Sequence, residues 1–146
     1  AGAISIVNDR PDIARLAGAD AVHLGQQDLP LEAAREIVGP DIRIGISAHT
    51  RAEIENARGA DYLGIGTLYP SPTRPDLTGQ GLGIVRYARD HVEIPFFGIG
   101  GIRLDRIEEV LSAGAHGIAV GSAITARDDS EGATREFVER LEAFTG

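Results

Sequence analysis

The sequence predicts an α/β protein with an all-parallel sheet, and three observations carry that prediction. Short apolar runs of the kind that fill parallel strands recur along the chain, a helical pattern follows each of them, and glycine punctuates the junctions. Nineteen glycines among 146 residues exceed the usual share of about 7%. They cluster beside apolar β-branched runs, where they mark turns at strand ends.

The first run, Ile4–Val7, leads into a helical stretch at Pro11–Leu16, and Pro11 suits the first turn because its missing N–H has no acceptor there. Ala21–Leu24 is followed by a helix over Leu31–Val38, with Gly39 just past its end. Ile42–Ile46 precedes a helix at Arg51–Arg58 and then Gly59, and Tyr62–Ile65 precedes one at Leu82–Asp90. Pro95–Ile99 leads to Leu104–Ser112, closed by Gly114, and Gly117–Val120 leads to Ser130–Phe144, with Ser130 as its N-cap. The same turn is echoed before three strands: Ala-Gly-Ala-Asp at 17–20, Arg-Gly-Ala-Asp at 58–61 and Ala-Gly-Ala-His at 113–116. Such repetition fits equivalent βα units.

Composition sets the function classes. At 42% hydrophobic and 25% charged, the chain fits one domain, residues 1–146, with enough apolar surface for a core. Fourteen Arg, no Lys and 22 Asp plus Glu give a net charge of −8, which repels nucleic acid and anionic membranes. The absence of Cys excludes disulfides and thiolate metal sites, and no apolar run approaches the roughly 20 residues of a membrane span. A soluble cytoplasmic protein is expected. Ala1-Gly2-Ala3 runs straight into an apolar stretch without an initiator Met, so the chain is expected to begin after something has been removed.

An open doubly wound sheet and a closed barrel both place function at the C-terminal ends of their strands. The dinucleotide fingerprint needs Gly-x-Gly-x-x-Gly after the first strand, where this chain has Asn8-Asp9-Arg10-Pro11. A (β/α)₈ barrel of TIM type is therefore favoured. A full barrel has eight units and about 250 residues, so this chain represents about six βα units, strands 3–8, with two unpaired sheet edges open to assembly.

The strand ends carry the polar residues. Asn8 and Asp9 end the first run and Asp28 follows the second. Carboxylates leaving strands about 4.8 Å apart can share Mg²⁺, which takes one or two carboxylates plus substrate phosphates. The same residues also read as an Asx turn before Pro11 and a cap for the helix near Pro30. Ser47, His49 and Thr50 follow the third strand: Ser47 can hydrogen-bond a substrate, His49 can move a proton, and Thr50 can serve as a helix N-cap. The long connection from Gly66 to Gly81 holds Ser71, Thr73 and Arg74, two hydroxyls and a permanent cation suited to gripping an anion. Gly100-Gly101 and Gly121-Ser122 follow the last two strands, where barrels frequently bind phosphate.

Six ordered segments, Val7-Asn8-Asp9-Arg10, His23 to Leu29, Gly45 to Thr50, Tyr69 to Arg74, Gly98 to Ile102 and Ser122-Ala123-Ile124, closely resemble the thiamine phosphate synthase family over nearly the whole chain. The resemblance implies a barrel enzyme that joins hydroxymethylpyrimidine diphosphate to a thiazole phosphate, giving thiamine phosphate and pyrophosphate. It also implies that the family's first two βα units, with a Gln-x-Arg-x-Lys strand motif that helps grip the diphosphate, lie outside this sequence. On matching positions, Asp9 and Asp28 would hold Mg²⁺ on the diphosphate with Asn8 beside them. Ser47 would contact the pyrimidine or diphosphate, and Arg74 would hold leaving-group charge where the family usually has Lys. Ser71 and Thr73 would line the thiazole phosphate side, and Gly100, Gly101, Gly121 and Ser122 would hydrogen-bond its phosphate. The related thiazole tautomerase, using His49, is the rival enzyme. A truncated phosphate-binding barrel, completed as a homo-oligomer or a domain-swapped assembly, is the non-catalytic alternative.

Overall fold

The computed structural model describes residues 2–70 and 79–145. Six strands lie side by side in chain order, β1 Ile6–Asn8, β2 Ala21–Leu24, β3 Arg43–Ala48, β4 Tyr62–Ile65, β5 Phe96–Ile99 and β6 Gly117–Ala119. Every neighbouring pair is parallel. The helices are α1 Pro11–Ala17, α2 Leu31–Val38, α3 Arg51–Asn56, α4 Leu82–His91, α5 Ile107–Ser112 with a 3₁₀ turn at Leu104–Arg106 before it, α6 Ser122–Thr125 and α7 Ser130–Thr145. The result is a parallel half-barrel of the expected type.

Strand alternation assigns the two faces. Val22, Leu24, Ile44, Ile46, Leu63 and Ile65 form one buried layer, sharing a cluster with Ala14, Ala34, Ile54, Val85 and Ala88 of the helices. Each fully buried aliphatic side chain contributes about 1.5–3 kcal/mol, so this layer holds the helices to the sheet. On the inner face His23, Gly45 and Tyr62 stand in register across β2, β3 and β4. Their rings continue through Phe97, with centroids 5.5 Å apart from His23 to Tyr62 and 6.0 Å from Tyr62 to Phe97. Gly45 makes the row possible, because a Cβ there would stand 2.0 Å from the Tyr62 ring.

The echoed turn proves to be one device used three times. Its fourth residue accepts a backbone N–H from the start of the preceding strand: Ser5 donates to Asp20 at 2.7 Å, Ile44 to Asp61 at 2.7 Å and Phe96 to His116 Nδ1 at 3.4 Å. Each fourth residue returns its own N–H to the carbonyl of that same residue. Fixing the chain in both directions sets the register at the N-terminal end of the sheet.

Three local expectations are corrected. The first strand begins at Ile6 rather than Ile4, because Ser5 is taken up by Asp20 through both its N–H and its hydroxyl. Asp129, not Ser130, caps α7: its Oδ1 accepts the Gly132 N–H at 2.8 Å while the Ser130 hydroxyl donates to the Arg127 carbonyl. The short helix α6 after the last strand escaped the sequence pattern, because four residues are too few to display a helical period. Among the described residues, β1 and β6 each keep one unpaired edge, and Ile4, Ile6 and Leu16 beside β1 are exposed.

Candidate functional site

A cleft of about 880 Å³ opens at the C-terminal ends of the strands. Gln26, Asp28 and Ser47 stand on one side and Gly100, Gly101, Gly121 and Ser122 on the other, with Thr67 and Gln80 contributed by the two stems of the long connection. Of the residues singled out from the sequence, seven, Asp28, Ser47, His49, Gly100, Gly101, Gly121 and Ser122, are brought together. Asn8 ends β1 and Asp9 follows it, and neither lines the cleft. Ser71, Thr73 and Arg74 lie outside the described residues.

Asp28 closes its own turn, accepting the Gly25 N–H on Oδ2 at 2.6 Å. It does not cap α2, whose N-cap is Pro30 with no side-chain hydrogen bond. Its second carboxylate oxygen is therefore available to a ligand. Asp9 adopts the left-handed region with φ 65° and donates its N–H to the His23 carbonyl at 2.8 Å. That conformation costs a non-glycine residue of order 1 kcal/mol. The turn at Asp9 is thus held by a hydrogen bond to the neighbouring strand.

His23 is the central residue that sequence reasoning missed. Its Nδ1 lies 3.1 Å from the Tyr62 hydroxyl and its Nε2 lies 2.9 Å from Ser47 Oγ. Burial lowers the His23 pKa, and the charges of Asp9 and Asp28 oppose that shift only in part, which puts both carboxylates within electrostatic reach of one ring. Burial also pushes Tyr62 up to about 12, so it keeps its proton near neutrality. A protonated Tyr62 can donate to Nδ1 and leave Nε2–H to donate to Ser47. The Ser47 hydroxyl proton is then free to point into the cleft. Gln26 holds the same residue from the other side, donating to the Ser47 carbonyl at 2.6 Å. The available signal was that His23 is the one polar side chain in Ala21–Leu24, on the alternate face from Val22 and Leu24.

His49 also lines the cleft, with Nδ1 bonded to the Gly66 carbonyl and its backbone N–H given to Glu53 Oε2 at 2.6 Å. Thr50 is the N-cap of α3, and with Glu53 it forms a full capping box.

The opposite wall is backbone. Gly100 and Gly101 have φ of +94° and +64°, and a Cβ on either would collide with the stem at Thr67, Tyr69 and Pro70. The Gly100 carbonyl accepts the Tyr69 N–H and the Gly101 carbonyl accepts Arg106 Nη1. Both carbonyls are thus committed within the protein, which leaves the N–H groups as the loop's remaining backbone polar groups. Gly121 precedes α6, whose first N–H groups have no acceptor within the helix. Among the described residues no group of three or more His, Asp or Glu could hold a metal ion, and no helix is long and apolar enough to cross a membrane.

A parallel half-barrel with a polar cleft at the C-terminal ends of its strands, one wall of carboxylate and hydroxyl groups and the other of glycine backbone, defines a β/α-barrel protein with its site at the mouth. The family model of thiamine monophosphate synthase matches residues 1–124. The chain belongs to that family. Thiamine-phosphate synthase of Thermosynechococcus vestitus is 49% identical over 142 residues, covering 96% of this chain and 40% of that protein. The one from Mycolicibacterium paratuberculosis is 52% identical over 128 residues, covering 86% and 57%. This chain thus spans roughly half the length of these relatives. Among solved structures, thiamine phosphate pyrophosphorylase from Pyrococcus furiosus superposes with a TM-score of 0.91 at 40% identity, covering 99% of this chain and 70% of that one. A 3-hexulose-6-phosphate synthase from Salmonella typhimurium superposes at 0.70 with 19% identity, a likeness of fold alone.

Proposed function

We propose that this chain carries the substrate cleft of a thiamine phosphate synthase, which joins hydroxymethylpyrimidine diphosphate to a thiazole phosphate and releases pyrophosphate. The observation that supports this most is the two-sided cleft. A carboxylate and hydroxyl wall faces a glycine-backbone wall, so two phosphorylated molecules can be held against each other.

Two carboxylates without a third ligand suit Mg²⁺ completed by substrate phosphates rather than a closed protein cage. Asp9 and Asp28 would hold it, and when bound it supplies charge neutralisation to the departing diphosphate. The chain's own residues position the reactants. Ser47, oriented by His23 and Gln26, donates to the pyrimidine diphosphate, with Asn8 beside Asp9. Gly100, Gly101, Gly121 and Ser122 hold the thiazole phosphate through N–H and hydroxyl groups. Ser71, Thr73 and Arg74 are assigned from the sequence to the thiazole side and to the leaving group. The pyrimidine amino group stabilises the developing benzylic-type cation, and the thiazole nitrogen attacks it, so no protein nucleophile is needed.

Incubation with both substrates and Mg²⁺ tests the proposal, with thiamine phosphate and pyrophosphate expected in equal amounts. His49 in the cleft wall favours the tautomerase as the second reading. Isomerised thiazole without thiamine phosphate would establish that reading, and phosphate binding without either product would leave a non-catalytic half-barrel.

A further inference from the structure

Arg106, Tyr69 and Glu109 form a latch behind the glycine wall, none of them lining the cleft. The Arg106 guanidinium lies 4.2 Å over the Tyr69 ring and donates from Nη1 to the Gly101 carbonyl at 2.8 Å. Glu109, three residues on and so on the same side of this helical segment, accepts the Tyr69 hydroxyl. Tyr69 in turn donates its N–H to the Gly100 carbonyl at 3.0 Å. Tyr69 and Pro70 press their carbonyls to within 2.7 Å of where a Gly101 Cβ would stand. Three layers are therefore stacked: the glycine loop, the stem of the long connection, and the start of α5.

A planar guanidinium can lie on a ring while its edge reaches a carbonyl, and an ammonium cannot do both. Burial raises the Tyr69 pKa first, Glu109 raises it further, and Arg106 opposes them, so the phenol stays a donor to Glu109. The two glycine carbonyls are held by the Tyr69 N–H and by Arg106, which fixes the peptide planes of the loop.

We propose that Arg106 and Tyr69 are positioning residues that set the anion affinity of the Gly100–Gly101 loop from outside the cleft. This rests on the reading of that loop as a phosphate site, so the test separates the two. Inorganic phosphate is titrated calorimetrically into the wild-type chain and into Arg106→Lys, Tyr69→Phe and Arg103→Ala, each checked for folding by circular dichroism. Arg103 is the control, an exposed cation paired with Asp105 in the same segment.

Arg106→Lys should weaken phosphate binding about tenfold, the effect of losing one hydrogen bond from a charged donor. Arg103→Ala should leave it within about twofold, as expected for a screened surface charge. Tyr69→Phe keeps the ring under Arg106 and removes only the hydrogen bond to the Glu109 carboxylate, so it should weaken binding by about threefold, less than the loss of the guanidinium. It also decides the matter if the lysine variant does not fold. The Gly101 amide resonance should move in Arg106→Lys before any phosphate is added. If wild type binds no phosphate, the site reading and this inference both fall. If wild type binds and both latch variants bind equally well, or if Arg103→Ala weakens binding as much as Arg106→Lys, only the inference falls.

Discussion

At the N-terminal end of the sheet one turn is used three times, whereas at the C-terminal end each loop has its own chemistry. Asp20, Asp61 and His116 perform the same two-way backbone pairing at the base of three strands. At the mouth, the carboxylate of Asp28 closes a tight turn, Ser47 joins a side-chain chain through His23, and Gly100 and Gly101 present backbone. The base is a repeated solution to register, whereas each loop at the mouth is built differently, as the proposed ligand chemistry requires. Base variants should therefore move stability and spare the chemistry, and mouth variants should do the reverse.

The largest effect tests the mouth. Asp28→Asn keeps a carbonyl oxygen for the Gly25 N–H and removes the charge, so metal-dependent kcat/KM should fall at least about a hundredfold while the urea midpoint hardly moves. Binding of thiazole phosphate, assigned to the opposite wall, should persist. Equal loss of turnover and thiazole phosphate binding would assign Asp28 to the fold. Its counterpart at the base is Asp61→Ala, which leaves the buried Ile44 N–H without its acceptor and takes a partner from Arg35. That variant should lose about 1–3 kcal/mol of stability, with kcat/KM within about twofold of wild type. A base variant that cost activity at unchanged stability would break the comparison.

Between the ends lies the aromatic row, where the division should fail. Gly45→Ala places a methyl 2.0 Å from the Tyr62 ring, and overpacking of this kind costs about 1–3 kcal/mol. Because Tyr62 also contacts His23, and His23 contacts Ser47, the same variant should lower turnover. Stability lost without turnover would show that the row does not govern Ser47.

The repeated base was visible in the sequence because Ala-Gly-Ala-Asp and its relatives lie within four consecutive residues. The half-barrel was visible for the same reason, since helical and strand patterns such as Leu31–Val38 and Ala21–Leu24 are local. That Gly100, Gly101, Gly121 and Ser122 lie at the cleft was legible because the glycines mark the loops. His23 was not, because its significance arises from Ser47 on a neighbouring strand and Tyr62 two strands away, a juxtaposition created by register. The Tyr69–Arg106–Glu109 latch escaped for the same reason, as Tyr69 is far in sequence from Arg106 and Glu109. Asp9 was legible as a strand-end carboxylate, yet its backbone has a positive φ that no pattern announces.

The smallest effect concerns acid. Asp20 accepts both the N–H and the hydroxyl of Ser5, and these bonds lower its pKa below the usual carboxylate value of about 3.9. A carboxylate whose native pKa is depressed contributes stability that is complete above about pH 5 and is lost as pH falls through the native value. Asp20→Asn keeps an oxygen and forgoes the charge. Near neutrality it should therefore unfold at a slightly lower urea concentration than wild type. As pH falls below about 4, wild type acquires the proton and the difference between the two midpoints should shrink. A difference that stayed constant over that range would assign the Ser5–Asp20 contribution to shape rather than charge, and would set this turn apart from a charge-assisted clasp.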